Sequence, residues 1–186
     1  MPSQFQFEQW VPFPLEQVFL FFANPGNLPR IMPPKLDTRI DALRLKAPVI
    51  WSATEGPCAS RPAPAGTGSE IVTSFRVLPF LPFRATWVAL ITEFEWNHHF
   101  ADIQRLGPFH SFHHRHGLRP ELRDGVAGTV VTDEIELDIG YGWAGRAIEK
   151  LFVTAQMKRT FQHRQKVLPE LLERDYREDS TKTAVP

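Results

Sequence analysis

Residues 129–171 read TVVTDEIELDIGYGWAGRAIEKLFVTAQMKRTFQHRQKVLPEL, and the change of period inside them decides the fold. From Thr129 to Leu137 every second residue shares a face, which places Val131, Asp133 and Ile135 together and predicts a strand. Past Gly140-Tyr-Gly-Trp-Ala-Gly145 the period lengthens. Ala144, Ile148, Leu151 and Ala155 form one helical stripe, and Met157, Phe161, Leu168 and Leu171 continue it with a small phase shift. About 28 helical residues span roughly 40 Å at ~1.5 Å per residue. Pro169 is predicted to kink or loosen the last turns, because a proline there removes a backbone donor. Residues 176–186, YREDSTKTAVP, have no apolar period and are expected to be a disordered tail behind a single domain, 1–175.

Upstream, the chain reads as a run of strands. Ser69–Leu78, Arg84–Phe94, His99–Arg105 and Phe109–Leu118 precede the strand at 129, with turn signals at Trp96-Asn97, Gly107-Pro108 and Asp124-Gly125. Short connections make neighbouring strands antiparallel. Leu36–Leu45 is a further predicted strand. At the start, Phe5 and Phe7 alternate with Gln4, Gln6 and Glu8. Leu15, Val18, Phe19 and Phe22 then mark a short helix, which Asn24-Pro25-Gly26 stops, and Leu28–Met32 adds one turn. Residues 55–66, EGPCASRPAPAG, are predicted to be a mobile loop. The expected fold class is α+β: a curved antiparallel sheet of about six or seven strands. A sheet with one apolar face must be covered, and the terminal helix is the only element long enough to cover it.

Four stretches, in order, resemble the SRPBCC superfamily of START-like helix-grip proteins, in its polyketide cyclase/dehydrase or ligand-binding branch. They are Pro14-Leu-Glu-Gln-Val-Phe-Leu-Phe-Phe-Ala-Asn-Pro25 with Asn27-Leu28 and Met32-Pro33-Pro34; Phe100-Ala-Asp-Ile-Gln-Arg-Leu-Gly-Pro-Phe109; Phe112-His-His-Arg-His116; and Gly128-Thr-Val-Val-Thr-Asp-Glu134, leading to Phe161 and Arg164. The resemblance implies a helix-grip fold around a cavity for hydrophobic ligands. It implies no single reaction, since one fold hosts carriers, receptors and cyclases.

Composition narrows the partners. Lys+Arg and Asp+Glu are both 21, so no net charge points to nucleic acid or to an anionic membrane. No apolar run reaches the ~20 residues of a spanning helix, and the N-terminus has no secretory pattern. A single cysteine, Cys58, suits a reducing compartment, so a cytoplasmic location is expected. Arg146, Lys150, Lys158, Arg159, Arg164 and Lys166 face only Glu149 on the terminal helix. They read as a solvated face, with at most a transient membrane contact during ligand exchange. Oligomeric state leaves no signature in this sequence.

Six of the seven histidines fall between 98 and 116. On a strand, His114 and His116 share a face with Phe112 and Leu118, while His113 and Arg115 point the other way. Paired imidazoles suit a transition metal, and the spacing around them approximates half of a cupin metal motif. Its second half is missing, so no metal and no cofactor are expected. Asp102 and Gln104 share a face on the preceding strand. With neighbours paired in order, Asp102, His114, His116 and Asp133 approach one another. A carboxylate beside an imidazole fixes its tautomer and raises its basicity. The cluster can be a polar ladder setting strand register, a device orienting a bound ligand, or a general base in which His114, His116 and Asp102 are catalytic. Trp87, Gln104, Phe112, Val131, Asp133, Ile135, Leu151, Ala155 and Phe161 are the expected ligand-binding residues. The leading expectation is a carrier or sensor of a hydrophobic or aromatic small molecule. A polyketide-type cyclase or dehydratase without redox cofactor is the rival, and a partner-binding regulatory or assembly protein the third.

Overall fold

A computed structural model describes residues 2–48, 64–76, 83–140, 142 and 152–183. The chain opens with β1 (Ser3–Val11), whose alternating burial follows its alternating sequence. Pro14 then starts α1 (Leu15–Ala23), which buries Val18, Phe19, Phe21 and Ala23. Single 3-10 turns at Pro25–Asn27 and Pro34–Leu36 flank a one-turn α2 (Leu28–Ile31). Six strands follow: β2 (Arg39–Arg44), β3 (Glu70–Arg76), β4 (Arg84–Glu95), β5 (His99–Leu106), β6 (Ser111–Arg123) and β7 (Val126–Asp138). The last described element is α3 (Thr154–Thr183). All seven strands form one antiparallel sheet in the order β1-β7-β6-β5-β4-β3-β2. Sequence neighbours are therefore spatial neighbours, except that β1 closes on β7.

Three elements differ from the sequence reading. β6 and β7 run further toward their shared turn than predicted, because Asp124 and Gly125 close it in two residues, both at positive φ (49° and 79°). That conformation matches the twist of the flanking strands and keeps them paired to the tip. α3 continues through Pro169 and through 176–183, where the sequence predicts loosening and then a tail. Leu168 and Leu172, both at 0% exposure, anchor the helix on either side of the proline. A register shift between Ile91 and Glu93 moves β4 by one residue. It turns Phe94 inward against Phe19 and Trp96 and leaves Glu93 half-buried, 3.2 Å from His99. Residues 49–63, with Cys58, and Ala144, Ile148 and Leu151 lie outside the described residues.

Among the described residues, two large apolar clusters form the core between sheet and helix, beside a small third one of Ala65, Ile71 and Ile91. One joins α1 and α2 to the sheet through Val11, Val18, Phe19, Phe100, Leu118 and Val131, under Leu168 and Leu172. The other gathers Phe112, Ile135, Leu137, Ile139 and Phe161, with Phe7 and Trp87 packed against it. Phe7 and Phe161 stack at 4.0 Å between ring centres, which ties β1 to α3. Polar contacts reinforce that seam. Gln9 donates to the Gln165 carbonyl at 2.7 Å, and Gln165 donates back to the Glu8 carbonyl at 3.1 Å. At the far end Arg30 of α2 holds Asp175 of α3 through two hydrogen bonds, 2.6 and 2.8 Å.

Candidate functional site

Between the two apolar clusters lies a polar band built by strand register. Asp102 is paired with His114 across β5 and β6, and His116 with Asp133 across β6 and β7. All four side chains share the inner face of the sheet. From above, α3 contributes Phe161 and Arg164, three residues apart on one side of the helix.

Asp133 is the hub. Its Oδ1 accepts from His114 Nε2 at 3.0 Å, and its Oδ2 accepts from Arg164 Nη2 at 2.6 Å. His116 Nδ1 lies 2.8 Å from Oδ1, but without the alignment a ring N–H needs for a hydrogen bond. Burial pushes the Asp133 carboxyl up; the Arg164 guanidinium, the nearby His116 and the His114 hydrogen bond outweigh it and hold the group well below the usual range. Arg164 is itself only 6% exposed, with its guanidinium 4.6 Å from the Phe22 ring centre and 5.1 Å from that of Phe161. Two aromatic faces and one carboxylate thus compensate a cation taken out of water.

The histidines sit in different settings. His116 is buried and stacked on Phe100 and Phe22, with ring centres at 4.4 and 5.8 Å. Burial first, and then the neighbouring His114, lower it to about 3, so its ring is neutral. His114 lies 3.9 Å from His116 between ring centres and meets Phe112 and Phe161 edge-on. Because Asp133 is ionised, His114 donates to it through Nε2, which leaves Nδ1 outside that hydrogen bond. That nitrogen points to Asp102, 4.0 Å away. Asp102 makes no hydrogen bond to a described side chain, and burial raises its carboxyl above the ordinary value against the pull of His114 and His113. Asp102 and His114 keep 14% and 13% of their side-chain surface exposed although they face inward.

The structure places the expected site residues differently. Asp102, His114, His116 and Asp133 come together. Trp87, Phe112 and Phe161 border them: Trp87 meets Phe112 edge-on at 4.6 Å and Phe109 at 5.7 Å, and is only partly buried. Ala155 is half-buried on α3. Val131 and Ile135 are closed into the apolar clusters at 1% and 2% exposure. Gln104 is committed elsewhere, since its amide donates to the Phe109 carbonyl at 2.7 Å and accepts from the Phe109 N–H at 3.2 Å. Leu151 lies outside the described residues.

Sequence reasoning placed Arg164 on a solvated basic face, and the structure corrects this. The signal was its position: residues 161, 164, 168 and 172 make one stripe, and Arg164 is the single charge on it. Phe22 and Phe100, which cover His116 and Arg164, were also missed as site residues.

No family model and no curated protein matches this sequence. Solved structures do match the fold. The crystal structure of TTHA0849 from Thermus thermophilus aligns with a TM-score of 0.60 at 16% identity, over 93% of this chain and 99% of that one. A START superfamily protein from Mycobacterium smegmatis aligns at 0.56 and 12%, over 92% and 97%. A norcoclaurine synthase point mutant from Thalictrum, solved with a transition-state analogue, aligns at 0.56 and 12%, over 91% and 96%. The chain therefore has the START-like helix-grip fold: a seven-stranded antiparallel sheet, short helices after its first strand, and a long C-terminal helix. Among the described residues, no helix is long and apolar enough to cross a membrane.

Proposed function

We propose that this chain binds a lipophilic, ring-bearing small molecule between sheet and helix, with the molecule's polar group at Asp102 and His114. One observation carries the reading. These two inward-facing polar side chains retain accessible surface beside the aromatic walls of Trp87, Phe112 and Phe161. Apolar walls supply affinity by burying ligand surface, and a few convergent polar groups fix its orientation. Arg164 and Asp133 neutralise each other, so the pair fits an uncharged hydroxyl or carbonyl better than a carboxylate. The START-like fold supports the same class of ligand.

The test is native mass spectrometry on protein purified from its host, followed by calorimetric titration of the species recovered. A bound lipophilic molecule is expected at one per chain, with Trp87→Ala weakening it at least tenfold. A chain that carries nothing, and takes up no hydrophobic dye with single-site stoichiometry, would remove the proposal.

One feature favours a second reading, a cyclase or dehydratase. Asp102 is a carboxyl without a hydrogen-bonding partner among the described residues, 4.0 Å from the His114 Nδ1 that takes no part in the Asp133 hydrogen bond. Such a pair serves acid–base chemistry at a bound carbonyl. Turnover of the recovered ligand by wild type and not by His114→Ala would select it; an unchanged ligand selects the carrier.

A further inference from the structure

The contact between Asp102 and His114 is chemically incomplete. His114 Nε2 is engaged with Asp133 at 3.0 Å, and its Nδ1 faces a carboxylate oxygen of Asp102 at 4.0 Å. The gap is too long for a hydrogen bond. A tetrahedral ion at ~2.1 Å from each ligand sets them about 3.4 Å apart, so this pair need close by only roughly half an ångström. His116 completes the set: one Asp102 oxygen and one nitrogen from each ring all lie within 4.8 Å of one another.

We propose that Asp102, His114 and His116 bind a divalent transition-metal ion. Two imidazoles and one carboxylate suit zinc, iron(II), cobalt or nickel, and not the oxygen-seeking magnesium or calcium. The surroundings match that role. Ligating histidines generally give their second nitrogen to a carboxylate, which fixes the ring and strengthens the ligand. Asp133 receives His114 in this way and sits beside His116. Arg164 balances Asp133, leaving the charge of Asp102 to offset the ion. Phe22, Phe100, Phe112 and Phe161 wall the site with apolar rings, and three protein ligands leave positions open for an oxygen of a bound molecule. The proposal does not depend on the lipophilic-ligand reading, since the ion is held by protein side chains alone.

A second cluster, Glu95, His98 and His99 at the β4–β5 turn, has comparable spacing but is largely exposed, and the experiment must separate the two. The full chain is stripped with chelator and titrated with Zn²⁺ against a chromophoric competitor, with Co²⁺ absorption reporting coordination. Wild type is expected to bind one ion tighter than about 10 μM. Asp102→Asn, which removes no hydrogen bond to a described residue, should not lower the melting temperature of the metal-free protein and should weaken Zn²⁺ at least ~10-fold. The Glu95→Gln/His98→Gln double variant should bind as wild type. No binding in this range, equal binding by Asp102→Asn, or loss of the ion in the Glu95/His98 variant would each overturn the assignment.

Discussion

Asp133 compensates a buried cation, so removing its charge exposes an imbalance that few other single changes here would create. Asp133→Asn leaves Arg164 buried without a counter-charge and should cost about 3–5 kcal/mol in urea unfolding. Replacing Arg164 by Met in the same protein should return part of that loss, because the unpaired cation is gone. A cost below about 1 kcal/mol for the single variant would mean that Arg164 reaches water. His116 predicts a pH dependence in chelator-treated protein. Its native form takes up a proton only near 3, while the unfolded residue does so near its ordinary ~6.5. Between those values the unfolded chain binds more protons, so stability falls on acidification by about 1.4 kcal/mol per pH unit below 6.5. Asp133, held low, adds to the loss only below its unfolded value of ~3.9. Asp102, held high, has the opposite sign: its contribution is present at low pH and is lost as pH rises through its native value. Unfolding free energies at pH 5 and pH 7 check the slope, and His116→Gln should flatten it.

The elements were more legible than the contacts they make. Two-residue alternation and turn residues located the strands, because a half-buried strand must alternate and a tight turn needs Asp-Gly. The pairing of Asp102 with His114 and of His116 with Asp133 followed from consecutive antiparallel order. The irregularity at Ile91–Glu93 left no mark in the sequence, because it is a one-residue event with no composition of its own. Arg164 was misjudged for a different reason, since charge alone cannot say whether a partner waits across the interface. Two element-scale predictions follow from packing. A methyl group at Gly128 would lie 2.5 Å from the Val11 carbonyl and 2.6 Å from the Trp10 ring. Gly128→Ala should therefore push β1 off β7 and cost about 1–3 kcal/mol by thermal melting. Pro169 sits inside a continuous α3 and lacks a backbone donor. Pro169→Ala should raise stability, by up to about 3 kcal/mol; an unchanged melting temperature would mean that the helix has already absorbed the lost bond.

At the scale of the molecule, α3 is fastened at both ends of the sheet's inner face. The Gln9–Gln165 exchange and the Phe7–Phe161 stack hold it to β1, and Arg30–Asp175 holds it to α2. The Arg30 pair is partly solvated, at 28% and 30% exposure, so Asp175→Ala should cost only about 1 kcal/mol. The closure of β1 on β7 has a separate consequence for how the chain is made. Residues 3–11 leave the ribosome before the rest of the described sheet, yet their strand partner among the described residues is 126–138. More than a hundred residues of synthesis separate them, and a pairing so distant in sequence is slow to nucleate. During that interval the first strand is an uncovered edge carrying Phe5, Phe7 and Trp10, a surface on which nascent chains associate wrongly or chaperones take hold.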